Sequence, residues 1–359
     1  MREPRRSIVN GVAAAYGLAA WAVLLATPAQ AQQSNDPSPG FTRPTVRFYG
    51  SVQVHYRHAF ETGDDGVFDA PNFRVQRVRL GARGDIYPWL SYEIEIDPRS
   101  PEIAGVLRDA FLTFTVIPRH QIRLGQQKTQ FGYENRMSST DLFAVNRTEL
   151  SDALSRGVNL RDIGIGLIGN VRLWRGWRFE DAVTVVNGDG FNVQADRTRQ
   201  KNVWGRAGLR YRKDSADLTV RVGVSGAVGD QMDEGLDLTL DTADDFRLEF
   251  DRRGTDVEID HPRFFASAEY VKGTNTDTRT DDDDELSGYY VNLVGKTPWK
   301  VGPIVRLDTF ADEFRRWTIG GYYGLPNVPF RLMVNYERRT LKDGRRGDDK
   351  LYVWTQVQF

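Results

Sequence analysis

The 359-residue chain contains no cysteine. Disulfides, thiolate nucleophiles and cysteine-based metal sites are therefore excluded. Histidine is almost as scarce: the four present, His55, His58, His120 and His261, stand far apart. No His-Glu-x-x-His pair, nucleophile elbow or glycine-rich phosphate loop occurs. Ser138-Ser139 beside Asp141 has no histidine in a matching motif and reads as a turn. These absences argue against an enzyme, and no cofactor or metal is expected. Lysine is rare, with eight residues against forty arginines. The formal net charge is only −1, which does not suit nonspecific nucleic-acid binding. Beyond the N-terminal region no apolar run approaches the about 20 residues that a transmembrane helix needs.

The first apolar run has a different reading. Arg2, Arg5 and Arg6 precede an apolar stretch over 12–26, and Ala29-Gln30-Ala31 supplies small residues at a cleavage spacing. Residues 1–31 are read as a secretory signal peptide cut after Ala31. A membrane anchor is the rival, disfavoured because the run is short and a cleavage motif follows it. Residues 32–45, rich in Pro, Ser and Asn, are expected to form a flexible periplasmic lead.

From 46 to 359 the chain reads as sixteen strand candidates, the first at 46–59 and the last at 349–359, most about ten residues long. Alternation is plain in several. Phe48, Val52, Val54 and Tyr56 oppose Arg47, Ser51, Gln53, His55 and Arg57. Leu90, Tyr92, Ile94 and Ile96 oppose Ser91, Glu93, Glu95 and Asp97. The second strand changes phase between Val75 and Val78, as a bulge would make it. A two-layer soluble sandwich alternates in the same way, so periodicity alone leaves both open. The connections separate them, because they run long and short in turn. Short links such as 118–120 and 174–176 alternate with long ones such as 60–71, 132–160 and 188–200. Antiparallel strands crossing an outer membrane have this rhythm, with short periplasmic turns and long external loops. It weakens at 252–262, read as a long inner link after a strand at 244–251. Trp89, Trp174, Trp177, Trp299, Trp317, Tyr323 and Trp354 lie near strand ends, as an interfacial aromatic girdle requires. The expected fold is an all-β, 16-stranded antiparallel transmembrane β-barrel.

Two segments add a resemblance. In the last strand Leu351, Val353, Val357 and Phe359 share one face, and such a stripe ending in an aromatic resembles the insertion signal of outer-membrane barrels, with Phe359 as its terminal residue. Gly125-Gln126-Gln127-Lys128-Thr129-Gln130-Phe131-Gly132-Tyr133-Glu134 closes a strand and opens the longest loop, and Arg161-Asp162-Ile163-Gly164 follows that loop. With Phe73-Arg74-Val75-Gln76-Arg77-Val78-Arg79-Leu80 and Asp109-Ala110-Phe111-Leu112, this order resembles the phosphate-selective porin O and P family. Gln130 stands where proline is commoner in that family. The resemblance covers essentially the whole of 46–359. It implies a homotrimer with a pore in each subunit, and a third external loop, here 132–160, that folds inward to narrow the channel.

The implied function is an outer-membrane porin, a water-filled channel for passive diffusion of small hydrophilic solutes, weakly anion-preferring and open to phosphate-type anions. With the apolar face toward lipid, candidate pore-lining residues are Arg47, Arg57, Arg77, Arg79, Arg83, Arg123, Lys128, Arg136, Arg147, Arg206, Arg210 and Arg221. A guanidinium fork matches phosphate and carboxylate oxygens. A mixed-charge lining that merely holds water remains the plainer alternative. Acidic loop clusters, Asp281 to Glu285 among them, are read as solvated. Expected partners are outer-membrane lipid and lipopolysaccharide, the barrel-assembly machinery through the last strand, and small hydrophilic or anionic solutes. The alternatives are an outer-membrane barrel enzyme or assembly component, and a secreted carbohydrate-binding β-sandwich.

Overall fold

The computed structural model describes residues 44–60, 70–99, 106–153, 161–190, 192–193, 200–233, 246–311, 313–324, 329–345, 347 and 349–359. The signal-peptide reading at 1–31 and most of the lead at 32–45 lie outside the described residues.

Sixteen strands follow one another: β1 (Arg47–Ala59), β2 (Asn72–Tyr87), β3 (Leu90–Ile96), β4 (Leu107–Ile117), β5 (His120–Lys128), β6 (Arg161–Arg172), β7 (Trp177–Val186), β8 (Asn202–Lys213), β9 (Leu218–Asp233), β10 (Phe246–His261), β11 (Phe264–Asp277), β12 (Asp283–Gly295), β13 (Val301–Phe310), β14 (Phe314–Tyr323), β15 (Phe330–Leu341) and β16 (Lys350–Gln358). Each pairs antiparallel with its sequence neighbours, and β16 pairs with β1 to close the barrel. Closure satisfies every strand edge, which lipid demands because it offers no hydrogen bonds. At the seam Phe359 N donates to Gly50 O at 3.0 Å, and Gly50 N donates to Phe359 O at 2.9 Å.

Period-two alternation decides which residues meet lipid. In β1, Phe48 is 83 % exposed while Ser51, Gln53 and His55 are buried toward the lumen. In β16, Val353, Val357 and Phe359 point outward, so Tyr352, Trp354 and Gln356 must point inward. Trp354 is thus no girdle residue: it is 1 % exposed, inside the barrel. Trp89, Trp174, Trp299, Trp317 and Tyr323 do lie exposed on the outer wall. The phase change in β2 is a bulge, since Gln53 opposes Arg77 while Val54 opposes Val75, leaving Gln76 extra.

The expected inner link at 252–262 is a correction. β10 runs unbroken from Phe246 to His261, and only Pro262-Arg263 turns the chain. The polar run from Asp251 to Asp256 hid the strand, because Arg252 and Asp256 face the lumen while Asp251 and Arg253 occupy the outer face. β9 and β10 have 16 residues each and β3 has 7, so the wall is much taller on one side.

Lumen and folded-in loop as the candidate functional site

The chain leaving β5 turns into the barrel. Residues 129–153 include a 3-10 turn at Glu134–Arg136 and a short helix α1 (Glu149–Ala153). Their apolar side chains explain the course. Phe131 and Leu150 join a buried cluster with Val186, Trp204, Phe250, Tyr290 and Phe310 on the wall. Phe143 and Val145 join a second one with Phe265, Ile304, Tyr322, Met333 and Trp354. Burying such a side chain contributes about 1.5–3 kcal/mol, so four of them bind the loop firmly to the inner face of β7–β16.

Polar groups then fix its register. Arg331 donates to Thr140 O at 2.6 Å and Leu142 O at 3.0 Å. Arg306 donates to Asn146 O at 2.6 Å, and Arg316 to Arg147 O at 3.1 Å. Val145 N donates to Asn335 Oδ1 at 2.8 Å, and Glu134 N to Glu269 Oε2 at 3.2 Å. Inside the loop, Glu134 Oε2 accepts from Thr148 N, Thr148 Oγ1 and Ser151 Oγ at 2.9, 2.6 and 2.6 Å. Gly132 has φ +61, and a Cβ there would meet Glu269 Oε1 at 2.0 Å. Only glycine fits this close approach.

Water-accessible space remains on the opposite side. A cavity of about 600 Å³ opens against β1–β5. Another of about 740 Å³ lies against β5–β9, and both touch Arg136. Six cationic side chains line the first, Arg79, Arg83, Arg123, Lys128, Arg136 and Arg161, against four acidic ones, Glu93, Glu95, Asp109 and Asp141. Its formal balance is therefore positive.

The cations divide by partner. Arg79 meets Glu95 at 3.3 Å and Asp97 at 3.7 Å. Arg161 makes a bidentate contact to Asp109 at 2.9 and 2.6 Å. Arg206 pairs with Asp256, and Arg221 with Glu258. Four others make their short contacts with neutral groups. Arg83 lies over the Tyr49 ring at 5.2 Å and Arg123 over Phe111 at 4.8 Å. Lys128 Nζ donates to Asn135 O at 3.3 Å and Met137 O at 2.5 Å. Arg136 Nε donates to Gln130 Oε1 at 3.2 Å. Among the described residues none of these four reaches a carboxylate at ion-pair distance. On the loop, burial and the neighbouring Arg206 pull Arg136 below the usual arginine range. Burial pushes the Asp141 carboxyl above its ordinary range.

The other predicted residues fall as follows. Arg47 is exposed at the turn end of β1, opposite Arg83. Arg57 is half-buried on β1. Arg77 is buried and donates to Gln53 Oε1 at 3.0 Å. Arg147 lies within the loop, bonded to Glu134 O and Met137 O. Arg210 stands in register between Arg178 and Arg221, with its Nε buried and lacking a hydrogen-bond partner. Sequence reasoning missed the counter-charges Asp109, Asp256 and Glu258. The latter two stand at alternate positions of β10 and follow once that strand is extended. It also missed the aromatic lining of β8–β16. Among the described residues no group of acidic or histidine side chains is arranged to hold a metal. Part of the Asp281–Glu285 run belongs to β12, where Glu285 pairs with Lys272 at 2.8 Å.

The profile of the phosphate-selective porin O and P family matches residues 46–294. No curated protein sequence matches the chain. Solved structures with the same fold include the outer membrane channel DcaP of Acinetobacter baumannii, at 14 % identity and TM-score 0.60, over 88 % of this chain and 97 % of that one. An anion-selective porin from Comamonas acidovorans is 13 % identical with TM-score 0.61, over 88 % and 100 %. OmpT of Vibrio cholerae in its trimer form is 12 % identical with TM-score 0.58, over 88 % and 99 %.

Proposed function

Because the chain belongs to the phosphate-selective porin O and P family, an outer-membrane channel for passive diffusion rather than an enzyme, we propose that it passes small hydrophilic solutes with a preference for anions. The observation that carries the preference is the set of Arg83, Arg123 and Arg136, none of which makes an ion pair with a carboxylate. Stacking on Tyr49 and Phe111 holds two of them in place without neutralising them. A fixed positive field in a narrow aqueous space raises the local concentration of anions. Phosphate-type anions suit a guanidinium fork.

In this reading the described part of the 132–160 loop, 132–153, is the constriction and presents Arg136 to the aqueous space; 154–160 lie outside the described residues. A homotrimer is supported by the trimeric form of OmpT, which shares the fold. Residues 1–31 serve as the cleaved signal, Phe359 ends the strand that the assembly machinery reads, and outer-membrane lipid with lipopolysaccharide surrounds the wall. The test is reversal potential in a potassium chloride gradient across a planar bilayer, with and without phosphate. An anion-side potential is expected, and stable cation preference would overturn the proposal.

A further inference from the structure

Near the extracellular end of β14 and β15 the outer wall changes character. Ile319 and Val334 lie exposed in the apolar band. One outward step further along its own strand stand Trp317, past Ile319, and Tyr336, past Val334 and in register with Ile319, rings suited to a headgroup interface. Opposite Trp317 across the ladder is Arg338, and Arg315 stands one further outward step up, about 7 Å along the strand. Both arginines are exposed on the outer face.

Two other outward basic groups at this end carry their own counter-charge. Lys272 pairs with Glu285 at 2.8 Å, and Arg253 lies 4.0 Å from Asp251. Among the described residues Arg315 and Arg338 reach no carboxylate at that distance. An arginine facing lipid is costly at the bilayer centre and tolerated only near the interface. Two guanidiniums without an ion pair, one level with Trp317 and one just beyond it, therefore suit the depth of the outer-leaflet phosphates. Phe60 extends the apolar side, its ring 6.0 Å from that of Tyr336.

We propose that Arg315 and Arg338 form a binding site for the phosphorylated sugar headgroup of lipid A, with Trp317 and Tyr336 packing on the upper acyl chains. The guanidinium fork matches phosphate oxygens in bidentate fashion. This site rests on the outer-membrane reading and is independent of ion selectivity.

The test compares the full-length folded barrel in detergent with its Arg315→Ala/Arg338→Ala double variant, by calorimetric titration. The probes are bis-phosphorylated lipid A, the same lipid with both phosphates removed, and phosphatidylglycerol. The expected result is at least tenfold weaker lipid A binding by the double variant. Phosphate-free lipid should bind equally weakly to both proteins, and Arg315→Lys/Arg338→Lys should retain part of the affinity. Unchanged affinity in the alanine variant would overturn the site. So would equal affinity of the wild type for phosphatidylglycerol, or dissociation of an otherwise stable oligomer by the substitutions. Bilayer conductance and reversal potential of the same variants should stay as in the wild type, so failure of lipid binding is distinguishable from failure of the channel reading.

Discussion

At the scale of single residues, the partner of a charge matters more than its presence. Arg77 and Arg79 are both at least 93 % buried, and Arg79 is held by Glu95 and Asp97. Arg83 and Arg123 rest on aromatic faces and keep their field. Replacing Arg83 and Arg123 by glutamate is expected to move the reversal potential toward cations by more than the same change at Arg77 and Arg79. Equal shifts would refute the distinction. Arg206 and Asp256 form a different type, an ion pair whose side chains are 2 % and 1 % exposed. Arg206→Ala strands a buried carboxylate and is expected to cost about 3–5 kcal/mol, with Arg206→Ala/Asp256→Ala less damaging than the single change. Thermal melts in detergent measure both. Asp141 supplies the pH dependence. Burial raises its carboxyl, against opposing pulls from the Thr140 hydroxyl, Arg331 and Lys128. It therefore takes up a proton earlier on acidification than an ordinary aspartate. Losing that negative charge makes the cavity more positive, so anion preference should rise on acidification, starting at higher pH than an ordinary aspartate would give. Asp141→Asn should raise the preference at neutral pH and flatten its pH profile; a parallel profile would show that another group titrates.

At the scale of elements, the strands were largely legible and the loop's seat was not. A strand in lipid must be apolar on one face, and that requirement leaves its period-two imprint in β1, β3, β9 and β15. β10 escaped because Arg253 and Asp251 stand on its outer face above the apolar band. The bulge at Gln76 left a readable phase slip. Nothing local announced that Trp204, Phe250, Tyr290, Phe310 and Trp354 would face inward to meet Phe131, Phe143, Val145 and Leu150. Each reads as another apolar residue of its own strand, and the covering partner is distant in sequence. The same distance hid the arginine clamp on the loop's carbonyls. The loop's attachment is thus mainly apolar, and Phe143→Ala should expose the consequence. It removes a ring buried against Phe265 and Tyr322, which is expected to cost about 3–5 kcal/mol of loop docking. Single-channel records should show larger or noisier conductance. Records matching the wild type would mean the loop does not set the narrow section.

At the scale of the molecule, the lumen is a half-filled cylinder. One side of the wall is covered by the loop through two apolar clusters, and the aqueous path runs along the other, past Arg83, Arg123 and Arg136. This division would reconcile a near-neutral chain with the proposed anion preference. Many buried charges cancel in pairs such as Arg161 with Asp109 and Arg206 with Asp256, and the proposed selectivity would be left to the few lumen cations without an ion-pair partner. A field from a few exposed charges reaches only as far as mobile ions allow. The screening length is about 10 Å at 0.1 M salt and about 3 Å at 1 M. A cavity of about 600 Å³ is roughly spanned by the former and poorly by the latter. Anion preference should therefore be pronounced in dilute salt and fade toward parity near molar salt, measured as reversal potentials at a fixed concentration ratio. A preference that persisted undiminished at high salt would instead require anions to be dehydrated and held in contact by the guanidiniums, a binding site in place of a field.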